Sequence, residues 1–173
     1  MKDSLASVQN NLMRQLIGNF VCGVAPVVAI NAGSALTVKS SNTISYSCGG
    51  LMKTISALSA QALNIEATVQ ALNTGQPTFY TQPANTTVYY ILCADAAGNV
   101  KCIQGTYAGQ LLAPYQMEQG MGNYPIVTNA YTPFAILKQV TAATTWLCAG
   151  EAIDKAACSP TFRDINMLPT ALI

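Results

Sequence analysis

The chain has 173 residues, 51% of them hydrophobic and only 9% charged, with a net charge of +1 and no histidine. An ordinary soluble domain carries about 25% charged residues, so the surface here must be largely neutral, hydrogen-bonding and suited to being covered by partners. The basic residues are scattered from Lys2 to Arg163, which excludes the clustered cationic footprint that nucleic acid requires. The lack of imidazole removes the commonest general base, triad member and metal ligand. The acidic residues are dispersed, Glu151 and Asp154 being the nearest pair, and no paired-carboxylate site is legible.

In chain order, residues 3 to 20 read as an amphipathic helix. Leu5, Val8, Leu12, Leu16 and Phe20 recur at spacings of three and four, widened by Met13 and Ile17. Asp3 or Ser4 can cap its start and Gly18-Asn19 can end it. The stripe suits either packing on the chain's own core or docking as an arm on a neighbouring subunit. Residues 1–24 are therefore set apart as an N-terminal arm, and residues 25–173 as a β-sandwich domain. The apolar stretch from Phe20 to Leu36 is broken by Pro26 and Asn31. It reads as folded structure, not a signal peptide, and falls short of the ~20 clean apolar residues of a membrane span.

After Pro26 the pattern changes to short β-type runs at 26–31, 35–39 and 43–48. In the last of these Ile44, Tyr46 and Cys48 share one face. Gly49-Gly50 is a two-residue hairpin signal, with 51–55 as the return strand. Residues 56–76 are ambiguous: Leu58, Ala62, Ile65, Val69 and Leu72 fit a helix, while Thr68, Asn73 and Gly75 argue for a looser end. Strands are expected at 77–82, 86–93, 100–104, 125–128, 132–141 and 161–168, with a long glycine-bearing loop at 105–123. Roughly seven to ten short strands with such turn signals predict a mainly β fold, a β-sandwich or jelly roll.

The six cysteines lack any Cys-x-x-Cys spacing, so no metal site is expected. Cys93 and Cys102 flank the turn Asp95-Ala96-Ala97-Gly98-Asn99, and Cys148 and Cys158 bracket a second local loop. These four are the disulfide candidates. A four-residue loop would set Cys93 opposite Cys102, and a three-residue loop would put them on opposite faces and forbid the bond. The other reading leaves all six as reduced, buried small hydrophobes.

Several of these elements occur in a familiar order. Tyr89-Tyr90-Ile91-Leu92-Cys93, the Asp95-to-Asn99 turn and Val100 to Gln104 resemble a hairpin of tailed-bacteriophage head decoration (cement) and head-fibre proteins. The strand Pro133-Phe134-Ala135-Ile136-Leu137-Lys138-Gln139-Val140 resembles that group's Pro-x-Ala-x-Leu-Lys-Val strand. The run Phe162 to Pro169 resembles its closing Leu-Pro strand, and Tyr46 to Gly50 its Tyr-x-x-Gly-Gly hairpin. The likeness spans about residues 25 to 170. The cysteines and an insert from Trp146 to Ser159 depart from it. The resemblance implies a non-enzymatic virion structural protein, assembled in the host cytoplasm onto the capsid surface. Its implied partners are the major capsid protein and copies of itself, as a dimer or trimer. No catalytic residue, cofactor, metal, nucleic acid or membrane is implied.

Two other classes stand beside this expectation. One is a secreted or surface adhesin-like binding module held by three disulfides, with Asn85-Thr86-Thr87 as a formal glycosylation sequon that also reads as a plain turn. The other is an enzyme built on Lys138, Asp164 or Glu151, for which no nucleophile elbow or phosphate-loop spacing is present.

Overall fold

The computed structural model describes residues 18–31, 36–107, 125 and 127–165. The largest sheet has four strands in the order β10-β9-β7-β8, comprising β7 (Thr87–Asp95), β8 (Val100–Gln104), β9 (Tyr131–Thr141) and β10 (Cys158–Asp164). A second sheet orders β1 (Phe20–Cys22), β4 (Ile44–Cys48) and β5 (Leu51–Ile55) as β1-β4-β5. A third orders β2 (Val28–Ile30), β3 (Thr37–Ser40) and β6 (Gln61–Ala62) as β2-β3-β6. All strand pairs are antiparallel. The protein is mainly β, and a sandwich-like packing of the sheets encloses its main core.

Alternation along the strands builds that core. Tyr90, Leu92, Cys102 and Leu137 of the large sheet meet Val21, Ile44 and Tyr46 of the second sheet and Val28 and Val38 of the third. The opposite face of the large sheet is covered by the one α-helix among the described residues, α1 (Ala67–Thr74). Its Val69 packs with Ile91, Cys93 and Ile103 in a smaller cluster. The helix ends at Gly75, whose φ of 75° is the left-handed C-terminal stop that glycine adopts without steric cost.

Two turns follow directly from their residues. Gly49 and Gly50, with φ of 61° and 79°, join Cys48 to its partner Leu51, as the primed two-residue hairpin turn demands. Between β7 and β8 the loop proper is Ala96, Ala97 and Gly98. The Asp95 N–H donates to the Asn99 carbonyl at 3.1 Å and Gly98 takes φ 90°.

Pro133 lies inside β9, which has neighbours on both sides, a position where a missing N–H ordinarily breaks a ladder. The register explains its presence. Leu92 pairs with Ala135 and Cys93 with Pro133, so one β9 residue is extra and the strand bulges at the proline. Pro160 sits in β10, at the sheet's edge.

Several expectations change at this level. The helical stripe at Leu5, Val8, Leu12 and Leu16 lies outside the described residues. Phe20, expected to close that helix, instead begins β1 and pairs with Ser47, because its neighbour Val21 is drawn into the core of the β1-β4-β5 sheet. The ambiguous run 56–76 is helical only over α1. Leu58 and Leu63 enter the core from non-helical backbone, and Leu72 points outward. The run 77–82 is not a strand but retains one isolated bridge, Gln82 to Trp146. Residues 125, 127 and 128 carry no strand, and β10 begins at Cys158, earlier than expected.

Candidate functional site

The richest polar chemistry is buried. Gln70, Gln82, Gln104 and Gln139 are all fully enclosed. A glutamine amide carries one carbonyl acceptor and two N–H donors, so it can stand in for a strand partner. Gln104 does this for Tyr80: its Oε1 accepts the Tyr80 N–H at 2.9 Å, and its Nε2 donates to the Tyr80 carbonyl at 3.0 Å. Gln70 repeats the device one element away, accepting the Gln104 N–H at 2.7 Å and donating to its carbonyl at 3.3 Å. Gln82 donates to the carbonyls of Thr86 and Gln139 at 3.1 and 3.0 Å. Gln139 donates to the Ile153 carbonyl at 2.8 Å. The cluster is a set of backbone pairings carried by side chains, and its chemistry is that of holding segments together.

The lobe from Thr144 to Ala157 is held against this cluster. Trp146 pairs its backbone with Gln82 and donates its indole N–H to the Ala152 carbonyl at 2.8 Å. Its ring meets the Tyr90 ring edge-on, with centroids 5.3 Å apart at 87°. Glu151 accepts the Leu147 N–H and pairs with Lys155, which holds its carboxyl below the usual carboxylate range.

The disulfide candidates do not pair as the spacing suggested. All six cysteines are free thiols. Leu92 stands opposite Cys102 and Cys93 opposite Lys101, so the three-residue loop leaves Cys93 and Cys102 on opposite faces of the sheet. Cys102 joins the main core and Cys93 the smaller cluster under α1. Cys148 belongs to the main core, while Cys158 opens β10 opposite Thr141. Burial, reinforced by the neighbouring Cys102, Glu66 and Asp95, pushes the Cys93 thiol far above its ordinary value. Burial also raises Cys102 and Cys158. These three thiols stay protonated at neutral pH, the opposite of what a thiolate nucleophile needs.

The three residues named for an enzyme occupy separate settings. Lys138 is exposed on β9. Glu151 serves the lobe. Asp164 accepts the N–H groups of Val27 and Val28 at 3.0 and 3.1 Å, tying β10 to the start of β2. That tie holds Val27 at φ 53°, a left-handed setting rare for a β-branched residue.

On the surface, Leu51 and Met52 stand 63% and 60% exposed at the β4–β5 hairpin. Val24, Val27, Leu36 and Leu72 are the other exposed large hydrophobics among the described residues. Asn19, expected only to end a helix, anchors this hairpin. Its Oδ1 accepts the Gly49 N–H at 2.8 Å, and its Nδ2 donates to the carbonyls of Asn129 and Tyr131. The glutamine cluster was missed at the level of sequence, although a signal existed. Gln104 follows Cys102, and Gln139 follows Leu137, by two positions, so alternation turns both amides inward.

The fold and these surfaces define a mainly β protein whose polar interior is structural, with exposed apolar side chains on a hairpin tip. Among the described residues no helix is long and apolar enough to cross a membrane, and no three His, Cys, Asp or Glu side chains gather to hold a metal. The chain matches no protein-family model, no curated protein and no solved structure.

Proposed function

We propose that this chain is a non-enzymatic structural protein of a tailed-phage virion that decorates or cements the capsid surface. The observation that carries the reading is the charge-poor chain, 9% charged, with Leu51 and Met52 standing exposed on a hairpin whose sequence resembles that of such proteins. Interface centres are depleted of charge and gain large side chains, so this composition suits a surface that a partner covers. Its partners in this reading are the major capsid protein and further copies of itself, with the stripe Leu5, Val8, Leu12 and Leu16 as the docking arm. A jelly-roll connectivity and a dimeric or trimeric state belong to the same proposal.

Immunogold electron microscopy tests it, using antibodies raised against the purified chain and particles banded from the source lysate. Label over the outer surface of the heads is the expected result. Label found only in the particle-free fraction, with bare heads, would sink the proposal.

A further inference from the structure

One backbone bend is held in a conformation that its residue resists. Val27 takes φ 53°, a left-handed setting that β-branched residues rarely adopt, and its side chain is 47% exposed, so core packing does not hold it there. Hydrogen bonds from two sides do. On one side the Pro26 carbonyl accepts the N–H groups of Ser41 and Asn42 at 3.1 and 3.2 Å, and Asn42 Nδ2 donates to the Ala25 carbonyl at 2.9 Å. On the other, Asp164 Oδ2 and Oδ1 accept the N–H groups of Val27 and Val28 at 3.0 and 3.1 Å. Successive N–H groups of extended backbone point to opposite edges, so one carboxylate reaches both only because Val27 is bent. The Asn31 N–H donates to the Thr37 carbonyl at the start of β3, and alternation then turns the Ala29 N–H toward β3 and the Val28 N–H away from it. Asp164, the last residue of edge strand β10, thus closes the free edge of β2, whose Val28 side chain lies in the main core.

We infer that the Asp164 carboxylate is an acid-released latch, which holds the strained Val27 bend and keeps β2 seated until it is protonated. The step is one proton transfer from solvent to the carboxylate. The negative charge is lost, one oxygen becomes an O–H, and the two N–H donors are left facing a weaker acceptor. The cost of the left-handed setting at Val27 is then no longer offset, the bend relaxes, and Val28 is drawn out of the core with it. The latch therefore contributes stability while Asp164 is ionised, and that contribution is lost in acid. The titratable groups on the neighbouring elements are Arg163 beside it on β10, Lys138 three positions along β9 opposite Thr161, Lys39 on β3 opposite Ala29, and Cys22 at the end of β1. The bend and β2 carry no charge. Among the described residues Asp164 makes no ion pair, so its release calls for a proton and not for salt. This inference concerns how the fold is held and does not rest on the capsid reading.

Amide NMR of the isotope-labelled full chain, followed across the carboxylate range from about pH 7 to about pH 2, tests it. The Val27 and Val28 amide signals should move together with one midpoint. Below that midpoint the Ala29 amide should lose about tenfold or more of its protection from hydrogen exchange, what one or two hydrogen bonds are worth, while Leu92 in β7 keeps its own. Ala97 and Asn99, held by Asp95, give a separate titration in the same spectra. In Asp164→Asn the Val27 and Val28 signals should no longer titrate. Val27→Gly puts at the bend a residue that accepts this φ without strain, so those signals should still titrate while Ala29 stays protected. The inference is overturned by absent titration at Val27 and Val28, by titration that persists in Asp164→Asn, or by undiminished protection of Ala29 in acid. Equal loss at Ala29 in Val27→Gly, or loss at Ala29 and Leu92 together, would overturn it as well.

Discussion

A buried peptide group needs a partner wherever the ladder runs out, and at Tyr80 that partner is the side chain of Gln104. Its remaining reach goes to the Tyr90 hydroxyl at 2.8 Å. Replacing Gln104 with leucine keeps the bulk and removes all three bonds, stranding the Tyr80 N–H and carbonyl. The expected cost is about 2–4 kcal/mol, since an orphaned buried group loses its full hydration. Chemical denaturation of Gln104→Leu beside the parent protein measures it, and an unchanged midpoint would refute the role. The amide pairing could not be read from the sequence. Alternation turns Gln104 inward, but which backbone it serves depends on a segment more than twenty residues away in the chain.

At the scale of elements, the β7–β8 hairpin depends on one carboxylate. Asp95 Oδ1 accepts the N–H groups of Ala97 and Asn99 at 2.8 and 2.9 Å, and Oδ2 accepts the Asn99 side-chain amide at 2.8 Å. Partial burial pushes its pKa up, but these bonds outweigh burial and hold it below the usual value. A carboxylate with a depressed folded pKa contributes stability that is present above the unfolded value of about 4 and lost as pH falls through the folded one. The thermal midpoint should therefore decline below about pH 4, and that acid-side decline should be shallower in Asp95→Asn, which has no proton to gain. Parallel curves for the two proteins would remove Asp95 from the account. This hairpin was legible from its residues, as was the Gly49-Gly50 turn, because a turn is decided by neighbours in the chain. Its loop length was not. A single residue of difference decides whether Cys93 and Cys102 share a face, and the three-residue loop sets them apart.

For the whole molecule, the decisive contact is between the 144–157 lobe and the large sheet. Trp146 is fully buried there, edge-on to Tyr90. Trp146→Ala should cost about 3–5 kcal/mol, the usual loss for an enclosed aromatic. Hydrogen exchange would show where it falls: fast exchange at the backbone N–H groups of Gln82 and Trp146, with β7 and β9 still protected. Equal loss across all strands would show instead that lobe and sheet unfold as one unit. From its sequence alone this protein is mainly β, poor in charge, and built on two identifiable hairpins, since composition and period-two alternation are local properties. Only the tertiary structure decided that Phe20 belongs to a strand, that Leu58 and Leu63 enter the core without a helix, and that four glutamines complete the backbone pairing. Each of these depends on what a distant segment presents across the core, where burial and unpaired polar groups outweigh the preferences of the local chain.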